Sequence, residues 1–373
     1  MFSRHAPSAA RPSLQARGFY HIRPDCPLFS FKIRKMKPTL NRFTLLLLAV
    51  ILVLACQSPT LWGLPVSTPT PTNTATATVT ATLPSTITPV FTPTVTPFPR
   101  PSVDRVLLVS YDGLRPDVID LAPMPNLQEL MKTGAYSMTA QTIFPSATLP
   151  AHSSMVGGVC PDKHGVYWND YLPELGYAKG TNIFDLAHAA GIKTVMYVGK
   201  EKMRQLAEPE TTDVYEYIND RDLVIADKLV ENFPVDFGFM FVHFATVDAM
   251  GHEYGWLSEE QLSVAYRGDE ALGKILATLD AYGLREGTLI IVTADHGGHD
   301  TTHGYSLLED MTIPWIISGP GVQPLHLSTP IVTMDTAATI AYALGLDIPS
   351  EWDGTPVLEA FGMPSITHAV ICN

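Results

Sequence analysis

The stretch TLIIVTADHGG, residues 288–298, joins a run of strand-forming residues to an acid, a histidine and two glycines. Its β-branched and apolar residues show no polar alternation, which marks a strand buried on both faces. Four other runs share this character: RVLLVSYD (105–112), KTVMYVGK (193–200), FGFMFVHFATVD (237–248) and IPWIISGPG (313–321). Segments of helical period lie between them, among them TNIFDLAHAAG, DLVIADKLVENF and SVAYRGDEALGKILATLDAYG. Such alternation predicts an α/β domain whose mostly parallel central sheet is covered by helices on both faces. No internal repeat of solenoid period is present.

Three of these runs end in carboxylates: Asp112, Asp248 and Asp295. Ligands of open α/β sheets gather beyond the carboxyl ends of the strands. Three carboxylates delivered there repel one another unless a cation neutralises them. Histidines follow the acids closely. VDAMGHEYGW spaces Asp248 and His252 by four residues, with Gly251 read as allowing a tight loop; Asp295 and His296 are adjacent, and His303 comes soon after. Mixed His and Asp donors suit zinc in an open catalytic site, with Mn²⁺ or iron as alternatives. Each pair alone is commonplace; the weight lies in the set.

A hydroxyl-rich stretch, FPSATLPAHSSMVGG (144–158), offers Ser146, Thr148, Ser153 and Ser154 as nucleophiles or as helix-start caps. The order D-G, T-x-P-x-H, D-x-x-x-H, D-H-G-G and a later H-G resembles the alkaline phosphatase superfamily, in particular its nucleotide pyrophosphatase/phosphodiesterase branch. The resemblance spans 103–360, including VSYDGLRPD and PDKHGVYWND. It implies two Zn²⁺ ions. Asp248, His252 and His303 would hold one; Asp112, Asp295 and His296 would hold the other, with Thr148 as hydroxyl ligand and nucleophile. It also implies that Asn169 hydrogen-bonds a phosphoryl oxygen. The chemistry is coherent, because a threonine hydroxyl needs a metal or a base to become nucleophilic. Pro150 suits a helix first turn, where backbone N–H groups favour a phosphate. Ser146, Ser153 and Ser154 are then expected to satisfy helix-start groups, and His152, His164, His243 and His299 to serve as core or surface residues, with support of the ligands from behind as the alternative for His243, inside an apolar strand, and for His299, after the D-H pair.

Substrate choice is expected to turn on Leu149, which stands where nucleotide-handling relatives often carry a base-stacking Phe. Lys200 and Lys202, in GKEKMR, fall where some phosphomonoesterase relatives place a K-x-R pair; the alternative is a solvated charge run. The leading expectation is a phosphodiesterase or nucleotide pyrophosphatase acting through a phosphothreonine intermediate. A phosphomonoesterase is the alternative, and an inactive surface binding module a more distant one. A sulfatase is disfavoured, since Thr148 and His152 replace its C-x-P-x-R or S-x-P-x-R pattern.

The chain carries 24 Lys+Arg and 37 Asp+Glu. Nine of the basic residues and a single acid, Asp25, fall in residues 1–56, so the remainder holds 15 basic against 36 acidic residues, a net of −21. So acidic a body excludes binding along a nucleic-acid backbone. TLLLLAVILVLA (44–55), preceded by Arg42 and followed by Cys56, has the length of a signal-peptide core and ends in V-L-A-C, which resembles a bacterial lipobox. Residues 1–56 are therefore expected to be a signal and lipoprotein segment, with 1–35 as an upstream misassigned start before Met36. Lipidation at Cys56 would anchor the chain outside the cytoplasmic membrane. Residues 57–100, rich in Thr and Pro, are expected to form an extended linker to a catalytic domain at 101–373. Export permits a Cys160–Cys372 bridge, although sequence alone leaves two free thiols as an equal reading.

Overall fold

The computed structural model describes residues 100–366 and Cys372; the expected signal segment, Cys56 and the Thr/Pro linker lie outside the described residues. The strands are β1 (Arg105–Tyr111), β2 (Ala135–Gln141), β3 (Thr194–Val198), β4 (Val214–Tyr217), β5 (Phe239–Phe244), β6 (Thr288–Ala294), β7 (Thr312–Ser318) and β8 (Leu325–His326). They form one sheet in the order β4-β3-β5-β1-β6-β7-β2-β8. β4, β3, β5, β1 and β6 run parallel. β7 is antiparallel to both β6 and β2, and β8 is parallel to β2, so within the described sheet β7 alone runs against the rest.

Every residue of β3, β5 and β6 is buried. Successive strand side chains point to opposite faces, so both faces are covered. On one side, helices Pro125–Thr133, Asp222–Glu231 and Thr246–Tyr254 pack against the long helix Glu259–Ala281. On the other, Thr148–Gly157 packs with Ile183–Ala189 and Asp335–Ala343. Among the described residues no helix is long and apolar enough to cross a membrane. Cys160 and Cys372 form a disulfide across 212 residues of sequence, which settles the pairing left open above.

Two differences bear on the site. The run 237–248 does not stay extended to its acid: β5 ends at Phe244, and Asp248 lies in the first turn of helix Thr246–Tyr254. That helix also contains Gly251, where a tight loop was expected. The buried Asp222 carboxylate makes the helix possible by accepting from the backbone N–H groups of Ala245 (2.9 Å) and Thr246 (3.2 Å) and from the Thr246 hydroxyl (2.7 Å). Donors at a helix start are thereby satisfied by a residue far away in sequence.

Candidate functional site

The register of the three central strands aligns Tyr111 with Phe244 and with Ala294. Asp112 and Asp295, one residue further on, therefore leave the sheet side by side, and the helix after β5 brings Asp248 beside them. All three side chains are almost wholly buried. Gly113, at φ 72°, turns the chain straight after Asp112, and its N–H donates to Asp295 Oδ1 at 3.1 Å.

The three histidines are oriented alike. Nδ1 of His252 donates to the Thr301 carbonyl (3.0 Å), that of His296 to the Gly297 carbonyl (2.7 Å) and that of His303 to the Ser146 carbonyl (2.9 Å). This leaves each Nε2 with a lone pair, and each aims it at a carboxylate. His252 and His303 face Asp248 Oδ1 at 3.4 and 3.5 Å. His296 faces Asp112 Oδ1 at 3.4 Å and Asp295 Oδ2 at 3.3 Å. Lone pair facing lone pair is repulsive unless a cation lies between, and histidines tied through Nδ1 to a carbonyl are the usual metal-ligand arrangement. Asp248 Oδ1 and Asp295 Oδ2 are also buried without a hydrogen-bond partner, a costly state that a metal ion would relieve. The donor set thus fits divalent metal. The donor atoms converge in two groups, Asp248–His252–His303 and Asp112–Asp248–His296. The second counts Asp248 where the sequence reading placed Asp295, whose Oδ2 nevertheless lies against His296 Nε2.

Burial raises the Asp295 carboxyl well above its usual range, and the neighbouring Asp112 charge adds to this. Burial opposes ionisation of Asp112 as well, but the Lys200 ammonium and His243 outweigh it and hold that carboxyl well below the ordinary value. Burial depresses His296, and it depresses His303 to about 4 with help from His296. Neutral imidazoles and a carboxyl that resists ionisation are what crowded donors show when their own charges must be limited.

Thr148 opens helix Thr148–Gly157, and its Oγ1 lies 3.5 Å from both Asp112 Oδ1 and His296 Nε2. It makes no cap bond; Ala147 is the N-cap residue. The helix start is instead met by Asn169, whose Oδ1 accepts the Leu149 N–H at 2.9 Å. That bond occupies Oδ1 and fixes the orientation of the amide. The neighbouring serines do not cap the start as expected. Ser153 donates to the Leu149 carbonyl, Ser154 pairs with His164, and Ser146 donates to the Tyr305 carbonyl.

The Leu149 side chain is fully buried within the hydrophobic core, so at the position where relatives often carry a base-stacking Phe this chain offers no surface to a substrate base. The run GKEKMR is not a solvated stretch at Lys200, whose side chain is only 20% exposed. Its Nζ lies 2.7 Å from Asp112 Oδ2, 2.6 Å from Asp248 Oδ2 and 3.3 Å from Thr148 Oγ1. The two carboxylates raise the Lys200 ammonium's pKa against the opposing effect of burial. Burial and the neighbouring Lys200 charge lower the pKa of the Lys202 ammonium.

Two histidines assigned ordinary core or surface roles prove to be tied to the site. His243, on β5, donates through Nε2 to Asp112 Oδ2 at 2.9 Å. His152 lies under the Thr148 turn, with Nδ1 2.7 Å from the Thr148 carbonyl and Nε2 2.8 Å from Ser110 Oγ. His299 holds Asp310, which accepts the Tyr305 N–H beyond His303. A histidine inside an apolar strand, as in FMFVHF, was the available signal for His243.

Residues 106–314 match the family described as type I phosphodiesterase / nucleotide pyrophosphatase. Bis(5'-adenosyl)-triphosphatase ENPP4 of Homo sapiens is 26% identical over 215 residues, covering 52% of this chain and 47% of that protein. The chain thus spans about half the length of the curated relatives it matches. Among solved structures, murine ectonucleotide pyrophosphatase / phosphodiesterase 5 in complex with AMP superposes with a TM-score of 0.57 at 18% identity, covering 66% of this chain and 96% of that one. A phosphonate monoester hydrolase from Silicibacter pomeroyi gives 0.56 at 16% identity, over 70% and 77%. At such identities the structural likeness establishes the fold alone.

Proposed function

Given that the chain belongs to the type I phosphodiesterase / nucleotide pyrophosphatase family, we propose that it is a metal-dependent hydrolase of phosphodiesters or nucleotide pyrophosphate bonds. The observation that carries the reading is the convergence of three buried carboxylates and three Nε2 lone pairs around one uncapped hydroxyl. Asp248, His252 and His303 would hold one Zn²⁺, and Asp112, Asp295 and His296, with Thr148, the other. Bound metal there supplies Lewis acidity: it lowers the hydroxyl pKa and neutralises charge on the phosphoryl and leaving-group oxygens.

The chain's own residues have distinct tasks. Thr148 Oγ1 forms a bond to phosphorus as the bond to the leaving oxygen breaks, giving a phosphothreonine that water then cleaves. The positive end of the helix dipole faces the phosphoryl group, and the Thr148 N–H is its available backbone donor, since the Leu149 N–H is taken by Asn169 and Pro150 has none. Asn169, its Oδ1 engaged by Leu149, donates from Nδ2 to a phosphoryl oxygen. His152 and His243 hold the Thr148 carbonyl and the Asp112 carboxylate in place, so that little reorganisation accompanies reaction. AMP, bound by the murine structural relative, supports nucleotides as a substrate class.

A second reading has its own support. A Lys200 ammonium 3.3 Å from Thr148 Oγ1 adds positive charge where a dianionic monoester would be favoured over a monoanionic diester. The two separate on purified, zinc-reconstituted protein assayed with bis-p-nitrophenyl phosphate and p-nitrophenyl phosphate. Faster diester cleavage is expected; a much faster monoester reaction replaces the first reading with the second. Thr148→Ala should lower turnover by about 10³-fold or more while metal content persists. Full activity in that variant would remove Thr148 from the mechanism.

The proposal extends to location. The Cys160–Cys372 disulfide is of the kind that persists in oxidising compartments, in accord with export and a lipid anchor at Cys56. Mass spectrometry of the mature N-terminus decides it: an acylated Cys56 is expected, and an unprocessed chain beginning before residue 56 refutes it.

A further inference from the structure

Four of the proposed metal ligands lie on segments that meet around one side chain, the indole of Trp256. The ring is only 8% exposed. Its Nε1 donates to the Gly113 carbonyl at 2.9 Å, one residue beyond Asp112. Its backbone N–H donates to the Asp300 carbonyl at 2.7 Å, which ties it to the loop between His296 and His303. The ring stands edge-to-face with His252 at 5.3 Å and with His303 at 6.0 Å between centroids.

Three glycines make room for this ring, and each adjoins a ligand. A Cβ on Gly298, two residues after His296, would fall 2.2 Å from the indole Cε2. One on Gly251, beside His252, would fall 2.9 Å from Cδ2 and Cε2. One on Gly113 would lie 3.3 Å from Cζ2 and 3.1 Å from Asp248 Cα. Contacts under about 3 Å, as at Gly298 and Gly251, force something to move, and 3.3 Å at Gly113 is already tight, so three ligand-bearing backbones pack closely on one rigid plane.

Trp256 is itself held on both sides. Gly255 (φ 99°) and Leu257 (φ 68°) form the turn around it. The Leu257 N–H donates to Gln261 Oε1 at 2.7 Å, and Gln261 Nε2 donates to the Val247 carbonyl at 3.1 Å, next to Asp248. The non-glycine left-handed conformation at Leu257 costs energy that this bracing offsets.

We propose that Trp256 is a positioning residue that sets the separation of the two ligand groups, and so the affinity of the chain for metal. It touches neither substrate nor the reacting atoms; it acts through Gly113, Gly251, Gly298 and the edges of His252 and His303. The inference rests on reading these donors as a metal site. A ring supporting three ligand-bearing segments at once does for this site what outer hydrogen bonds do elsewhere, where losing one typically costs 10–100-fold in metal affinity.

The test uses full-length protein in detergent, stripped with chelator and titrated with Zn²⁺ against a chromogenic chelator. Thermal unfolding is followed with and without metal. Trp256→Ala should weaken Zn²⁺ binding by about 10–100-fold and shrink the metal-induced rise in Tm. Trp256→Phe keeps most of the plane but loses the bond to Gly113, and should recover much of the affinity. Gly298→Ala displaces the ring without removing it and should weaken binding even where Trp256→Ala fails to fold. Zn²⁺ should also change tryptophan emission in the parent, and that change should be lost in Trp256→Phe. Parental affinity in Gly298→Ala, together with parental affinity in any folded Trp256→Ala, overturns the proposal and leaves the metal reading standing. A parent chain that binds no divalent metal overturns both.

Discussion

Replacing Lys200 by methionine removes one charge from the most crowded part of the molecule and retains most of the side chain's volume. The ammonium lies 2.7 Å from Asp112 Oδ2 and 2.6 Å from Asp248 Oδ2, with both carboxylates almost fully buried. In metal-free protein it is the cation that holds the Asp112 carboxyl well below its ordinary range. Breaking a buried pair by deleting one partner costs about 3–5 kcal/mol, because the other charge is left uncompensated. At about 2–3 °C per kcal/mol for a domain of this size, metal-free Lys200→Met should melt roughly 6–15 °C below the parent. In the zinc-loaded protein the divalent charge would neutralise the same oxygens, so the loss should fall to a few degrees at most.

The sign with pH follows from the depressed Asp112 value. The pair's contribution is fully present above the unfolded carboxylate pKa and fades as acid protonates Asp112, so calorimetry belongs near neutral pH. Parent and variant are scanned after chelation and again after zinc reconstitution. An equal loss in both states refutes the idea that metal and ammonium serve the same carboxylates. No loss in the metal-free state refutes the pairing itself.

Other consequences are as direct. Asn169→Ala should lower kcat/KM by about 10–100-fold through loss of a phosphoryl donor and of the Leu149 N–H acceptor, and steady-state kinetics on a diester reads it. His164, buried and held to about 4 by desolvation, is neutral in the fold down to that pH, whereas the unfolded chain takes up the proton near 6.5. Stability should therefore fall from about pH 6.5 to 4, by up to about 3 kcal/mol from this group, and His164→Gln should flatten the urea-midpoint profile over that window. Opening the Cys160–Cys372 loop of 212 residues by Cys160→Ser should cost about 2–5 kcal/mol, seen as a lower urea midpoint that reductant no longer changes.

Much of the framework is legible in local pattern. The runs at 105–112, 193–200, 288–298 and 313–321 all contain strands, and the two at 105–112 and 288–298 deliver Asp112 and Asp295 as expected. Strands β2, β4 and β8 escape, because AYSMTAQ and VYEY carry polar or exposed positions that match an edge or a loop equally well. The reversal of β7 is silent too, since IPWIIS is equally apolar whichever way it pairs. Asp248 was recognisable as a ligand type, but its helical setting depends on Asp222, whose partners stand 23 and 24 residues away.

The class of the fold and the kinds of donor available for chemistry are written in local sequence. Both are carried by features a few residues long: an apolar run, an acid at its end, a histidine four places on. Local sequence could not determine what each side chain would meet. Leu149 and Thr148 are neighbours, yet one is sealed in the core and the other lies at the ligand cluster. Lys200 sits in an ordinary charge run, yet its ammonium rests between carboxylates 88 residues before it and 48 residues after it. Trp256 looks like a loop aromatic until Gly113, Gly251 and Gly298 close around it. Secondary structure follows from periodicity along the chain, whereas contact, burial and charge pairing follow from which strands become neighbours, and that is decided only when the sheet assembles.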